Sequence, residues 1–208
     1  MKRTTILSQD NLEKIVDVFS EGKVVCIPTD TIYAMSCDAM NVDAIKRIYQ
    51  IKKRDLDKRL PVFVADIEMA KEYIKFFPKE LALAEFFWPG ALTFVSEVNN
   101  QKIPKILISE NKIAIRVPKC KLIQSICKSI DKPIIATSAN VSLQSSIICA
   151  DEIIKNFHHK VDCILEDFNN NNKNDLTPST IIEFIKEDKF KIIRTGKISE
   201  DELNKVIN

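Results

Sequence analysis

Hydrophobic residues along this chain fall into two patterns, stripes at helical spacing and short unbroken apolar runs, and the two intermingle. Leu12, Ile15, Val16 and Phe19 recur three and four residues apart, which predicts a helix over 11–20 stopped by Gly22. Val24-Val25-Cys26-Ile27 fits a buried strand, and Pro28 ends it. Asn41 is a good cap for a second helix whose stripe is Ala44, Ile45, Ile48 and Tyr49, and this helix runs into Ile51-Lys52-Lys53-Arg54. Val62-Phe63-Val64 predicts a strand. Helices follow at 67–74 and 78–87, and Trp88-Pro89-Gly90 breaks the second. Further strands are predicted at 92–95, 113–117, 134–136 and 163–165, and further helices at 121–129 and 151–157. The polar run 169–172 reads as an exposed loop. The runs 180–185 and 190–194 flank Lys186-Glu187-Asp188-Lys189 and predict a hairpin.

Strands and helices mix without strict alternation, so the fold class is α/β with a mixed, twisted sheet. Neither a repeat nor a linker interrupts the 208 residues, which argues for one domain over 1–208.

Composition narrows the chemistry. A net charge of +2 is too small to argue for nucleic acid by itself, although a local basic patch stays open. No apolar run reaches the roughly 18 residues of a membrane span. The basic start at Lys2 and Arg3 would suit a secretory leader, but Gln9 and Asp10 cut the apolar stretch short, so the expected location is the cytoplasm. Cys26, Cys37, Cys120, Cys127, Cys149 and Cys163 form no C-x-x-C pair, and His158 and His159 are the two histidines. That argues for reduced thiols and against a zinc site or a histidine-based triad.

With three glycines, the chain has neither G-x-G-x-x-G nor G-x-x-x-x-G-K. Phosphates would have to be met by Lys, Arg and hydroxyl side chains, and such groups cluster at predicted strand ends, where open α/β sheets bind ligands. The clusters are Pro28-Thr29-Asp30-Thr31-Ile32-Tyr33, then Lys52-Lys53-Arg54 with Lys58-Arg59, then Thr137-Ser138-Ala139-Asn140, then Thr177-Pro178-Ser179-Thr180, and Arg194. Taken singly each has a plainer reading: a polar turn, a cationic face complementing a helix dipole, or a helix cap.

Order and combination change the picture. Pro-Thr-Asp-Thr-Ile-Tyr, Lys-x-Arg, Trp-Pro-Gly-Ala-Leu-Thr, Ile-Arg-Val-Pro, Thr-Ser-Ala-Asn, Pro-Ser-Thr-Ile and Ile-Arg-Thr-Gly follow one another from about Gly22 to Gly196. This series resembles the YrdC family, the threonylcarbamoyl-AMP synthases, in its single-domain form. The resemblance implies a twisted mixed sheet with flanking helices and a basic concave cleft. It implies condensation of L-threonine, bicarbonate or carbon dioxide, and ATP with release of pyrophosphate. The product would go to a separate transferase complex that modifies adenosine in tRNA, and a direct tRNA contact stays open. Mg²⁺ is expected on the phosphates, with no protein metal site.

By the same resemblance, Lys52 and Arg54 are the catalytic pair facing the triphosphate. Thr31, Arg116, Ser138 and Ser179 would hold threonine, and Lys58, Asn140 and Arg194 the nucleotide. The residue types suit the reaction, because both steps join anions and neutralising cations lower the barrier. Alternation at 112–117 puts Lys112, Ala114 and Arg116 on one face, with Ile113, Ile115 and Val117 turned to the core, so Arg116 is expected in the cleft. The sequence departs from the family at Ala34 and Leu143, where Gly is usual, and at Asp55 and Arg59, where Pro is usual. Ala34 and Leu143 put backbone turns in question, since Gly tolerates positive φ and they do not.

Two rival classes remain. An RNA-binding module would use the same basic cleft, but no aromatic stacking motif accompanies it. A carbamoyl-transfer module of the hydrogenase-maturation type would normally carry zinc-finger and acylphosphatase segments, and the sequence contains neither.

Overall fold

A computed structural model describes residues 3–99, 102–140, 150–166, 177–187 and 189–207. Leu143, Cys149 and the 169–172 run therefore lie outside the described residues. In chain order the elements are β1 (Thr5–Ser8), α1 (Leu12–Ser20), β2 (Val25–Ile27), β3 (Ala34–Ser36), α2 (Val42–Lys52), β4 (Val62–Phe63), α3 (Ile67–Tyr73), α4 (Pro78–Phe87) and β5 (Leu92–Glu97). They continue with a 3₁₀ turn (Lys105–Leu107), β6 (Lys112–Arg116), α5 (Lys121–Ile130), β7 (Ile134–Ile135), β8 (Thr137–Ser138), α6 (Ala150–Phe157), β9 (Cys163–Glu166), β10 (Thr180–Lys186), β11 (Lys189–Arg194) and α7 (Glu200–Ile207).

The helices start where the caps stand. The Asn11 side chain accepts from the Lys14 amide, Asn41 from Ala44 and Asp66 from Met69, each satisfying an amide the first turn leaves unpaired. Helix α1 stops at Gly22, whose φ of +69° only glycine adopts without strain.

The pattern predicted one mixed sheet, and the strands divide into two. One has the order β1-β9-β2-β3-β8, the other β11-β10-β5-β6-β4-β7. Parallel and antiparallel pairs occur in both, as in β2 with β9 and β2 with β3, or β10 with β5 and β10 with β11. The run predicted as one strand at 134–136 is where the sheets join. Ile134 and Ile135 pair with β4, and Thr137 and Ser138 pair with β3, so the chain changes sheets at Ala136. The Ser36 hydroxyl donates to the Ile135 carbonyl at 2.6 Å, and the Ala136 amide to Pro61 at 3.0 Å, which pins the crossing from both sides. Buried side chains from both sheets belong to one apolar cluster, including Met35, Phe94, Ile115, Ile135 and Ile164. Burying such residues stabilises the fold by roughly 1.5–3 kcal/mol each.

Strands β1 and β3 and helix α7 were not predicted. Strand β3 is buried at every position, so it shows no alternation to read. Ala34 lies in this extended strand, outside the positive-φ residues, so the missing glycine causes no strain there. Among the described residues no helix is long and apolar enough to cross a membrane.

Candidate active site

Four polar segments converge on the seam between the sheets. The first is the turn that ends β2. The Thr29 hydroxyl donates to the Ile32 carbonyl at 2.7 Å and accepts the Thr31 amide at 3.0 Å, and the two threonine hydroxyls lie 3.1 Å apart. This closed turn directs Asp30 toward β6. Its Oδ2 accepts from Nη2 of Arg116 at 2.6 Å and from the Lys119 amide at 3.0 Å. The Arg116 Nε donates to the Gly90 carbonyl at 2.6 Å, and the guanidinium lies 5.3 Å from the centre of the Phe63 ring. Burial pulls the pKa of Arg116 down, and the Asp30 charge works against that pull.

The second segment is the end of α2. Lys53 takes a left-handed conformation, φ 49°, and this reverses the chain between two cations. Lys52 points inward and is 1% exposed. Its ammonium donates to the Ser138 carbonyl, to the Asn140 carbonyl at 2.8 Å and to Asn140 Oδ1 at 3.0 Å, matching its three N–H donors. Burial, and then the neighbouring Arg54 charge, lower its pKa to about 8. Arg54 turns the other way, its Nε donating to the Lys58 carbonyl at 2.8 Å and its Nη2 to the Arg59 carbonyl at 3.1 Å.

The third segment is Thr137 to Asn140, where the Ser138 hydroxyl donates to Asn140 Oδ1 at 2.6 Å. The fourth is the approach to β10, tied to the end of β11. Ser179 Oγ lies 2.9 Å from the Thr93 hydroxyl and accepts from Arg194 Nη2 at 3.0 Å, and the same nitrogen donates to the Ser179 carbonyl at 2.7 Å. Gly196 lets this happen. A Cβ there would overlap the Pro178 carbonyl and the backbone of Ser179 and Thr180. Burial lowers the Arg194 pKa, and repulsion from Arg116 lowers it further, so the two guanidinium groups sense each other.

Between these segments lies a cavity of about 340 Å³. Its cations are Arg54, Arg59, Lys112, Arg116 and Arg194, its hydroxyls include Thr29, Thr31, Thr93, Ser109, Thr137, Ser138 and Ser179, and none of its described lining residues is acidic. Two of the cations are balanced from just outside the lining, Arg116 by Asp30 and Lys112 by Glu183. Such a chamber suits a polyanion, and its hydroxyls can orient a small polar molecule.

Of the residues expected from the sequence, Thr31, Arg54, Arg116, Ser138, Ser179 and Arg194 line the cavity together. Lys52, Lys58 and Asn140 are not among its lining residues. Lys52 and Asn140 sit behind the wall and brace it. The Lys58 ammonium is on the surface 3.7 Å from Asp55, and Lys58 serves the site through its carbonyl, which holds Arg54. Ser179 and Arg194, assigned by resemblance to different ligands, are bonded to each other. Asp30, Arg59 and Thr93 received no ligand role from the sequence. Each nonetheless stood in a cluster or motif the sequence singled out, Asp30 in the hydroxyl-rich turn, Arg59 in the cationic run and Thr93 in Trp-Pro-Gly-Ala-Leu-Thr.

Comparison with known proteins shows what the chain is similar to. The sequence model of the Sua5/YciO/YrdC family, described as "Telomere recombination", matches residues 17–196. A threonylcarbamoyl-AMP synthase of Pyrococcus abyssi is 31% identical over 189 residues, 90% of this chain and 54% of the relative. One of Vibrio parahaemolyticus is 29% identical over 159 residues, 75% of this chain and 86% of the relative. The chain thus spans about half the length of the first and most of the second. The crystal structure of P. abyssi Sua5 complexed with L-threonine superposes with a TM-score of 0.86 at 27% identity, covering 99% of this chain and 60% of that one.

Proposed function

The chain belongs to the Sua5/YciO/YrdC family, and from that premise we propose that it is a threonylcarbamoyl-AMP synthase. It joins L-threonine, bicarbonate or dissolved carbon dioxide, and ATP, in the cytoplasm, for a transferase that modifies tRNA. The observation that carries this reading is the cavity itself, with five cations and a band of hydroxyls on its walls.

The threonine amine adds to the carbon of carbon dioxide and loses a proton, giving a carbamate. A carbamate oxygen then attacks the α-phosphorus and pyrophosphate leaves. Both steps bring anions together, so Arg54, Arg59 and Arg194 serve by neutralising the phosphates and the developing negative charge. Arg116, held at Nε and Nη2, presents a fixed cation to the threonine carboxylate, and Thr31 and Ser179 orient the amino acid. Arg194 stands where the two ligands meet. Lys52 and Asn140 keep the Ser138 segment in place. Mg²⁺ fits as a passenger on the phosphates, because the nearby carboxylates Asp30 and Glu183 are already engaged by cations.

The test is omission. Purified protein given ATP, threonine and bicarbonate releases pyrophosphate, and release falls to background when threonine is left out. Release that ignores threonine overturns the reading.

A further inference from the structure

Arg59 stands apart from the other cations of the cavity. It lines the chamber beside Arg54, and Arg54 Nη2 donates to its own carbonyl at 3.1 Å. Its Nη1 donates to the Leu56 carbonyl at 2.8 Å and the Ile106 carbonyl at 3.3 Å, so two backbone oxygens hold the guanidinium in place. These contacts do not saturate it, because its Nε is buried with no acceptor among the described residues. Within ion-pair distance, neither Arg54 nor Arg59 has a carboxylate among the described residues, whereas Lys112 and Arg116 each have one. Two guanidinium groups on one stretch of the cavity wall, neither in an ion pair among the described residues, suit an anion of more than one charge. A phosphoryl chain meets that description better than a single carboxylate does.

Resting on the function proposed above, we infer that Arg59 is a polyphosphate-binding residue, which with Arg54 grips the β- and γ-phosphates of the nucleoside triphosphate. The position was expected to bear proline, which has no charge to offer. The loop 53–61 therefore supplies a cation of this chain's own. Its preorganisation lowers the entropy cost of each bond to phosphate.

The experiment is calorimetric titration of the full chain and of Arg59→Gln and Arg59→Lys with ATP, AMP, inorganic tripolyphosphate and threonine. Arg59→Gln is expected to weaken ATP and tripolyphosphate about tenfold or more and to leave AMP and threonine near wild type. It should raise KM for ATP more than it lowers kcat. Arg59→Lys keeps the charge and loses the fork, so it should recover part of the affinity. It also serves as the readout if the glutamine variant does not fold. Folded variants that bind tripolyphosphate as the wild type does overturn the assignment of Arg59 and leave the enzyme reading standing. A wild-type chain that binds neither ATP nor tripolyphosphate overturns both.

Discussion

Asp30 accepts the Nη2 of Arg116 at 2.6 Å, and the pair is nearly closed to solvent, with side chains 12% and 3% exposed. A buried pair of this kind is costly to break from one side, because the remaining charge is left uncompensated. The closed Thr29–Thr31 turn aims Asp30, Asp30 aims Arg116, and Arg116 faces the cavity.

Arg116→Lys should therefore lose more than a charge would suggest. Lys cannot meet Gly90 and Asp30 at once with a planar fork. Threonine affinity is expected to fall tenfold to a hundredfold, matching about 1.5–3 kcal/mol for a charged hydrogen bond, with ATP affinity within a few-fold of wild type. Asp30→Asn should give the same split in weaker form. Separate titration of the two ligands checks it, and loss of ATP affinity with threonine retained would place Arg116 on the nucleotide side.

Gly196→Ala should damage the site without touching a charged residue. The added methyl drives into the Pro178–Ser179 backbone, which carries the acceptors of Arg194. Activity is expected to drop at least tenfold while far-ultraviolet circular dichroism stays native. A fully active alanine variant would show that this segment shifts without consequence.

How much of this was legible in the sequence depends on range. Caps at Asn11, Asn41 and Asp66 act over three residues, and Asn41 was read directly as one. The alternation at 112–117 correctly sent Ile115 and Val117 to the core and Arg116 toward the cavity. The change of sheet at Ala136 depends on β3 and β4, which lie about 70 to 100 residues away, and nothing local encodes it. Lys52 and Arg54 looked like a pair because they are two residues apart. The left-handed Lys53 sends one behind the wall and the other onto it. Arg59 stood in the cationic cluster but received no role of its own, since a cation in a charged loop reads equally as a solvated one.

Lys52 gives a prediction with a pH sign. Its folded pKa is lowered to about 8 from 10.5, so between those values the folded state binds fewer protons than the unfolded state. Stability from this group therefore rises as pH climbs from about 8 to 10.5. Urea unfolding across that window should show a steeper rise for wild type than for Lys52→Met. Equal slopes would mean that the ammonium is not buried as described. The same variant should lose activity at least tenfold, because the Ser138–Asn140 segment loses its brace.

Glu80 runs the other way. Burial raises its carboxyl to about 7 from 4.5, despite hydrogen bonds from Ser96 and the Phe77 amide. The folded state prefers the protonated form, so its contribution weakens as pH rises from about 4.5 to 7. Glu80→Gln should then match wild type at pH 5 and melt higher than wild type at pH 8. A variant that melts lower at pH 8 would show that the ionised form is the stabilising one.

A cavity that builds a mixed anhydride from three substrates leaves an isotopic signature in its product. The protein is incubated with ATP, threonine and ¹³C-labelled bicarbonate, and the products are separated and weighed by mass spectrometry. The expected product is an adenylate that contains threonine and one labelled carbon, formed in step with pyrophosphate. ATP turned over to ADP or AMP with no labelled threonyl adduct, from a folded protein that binds ATP, would contradict it.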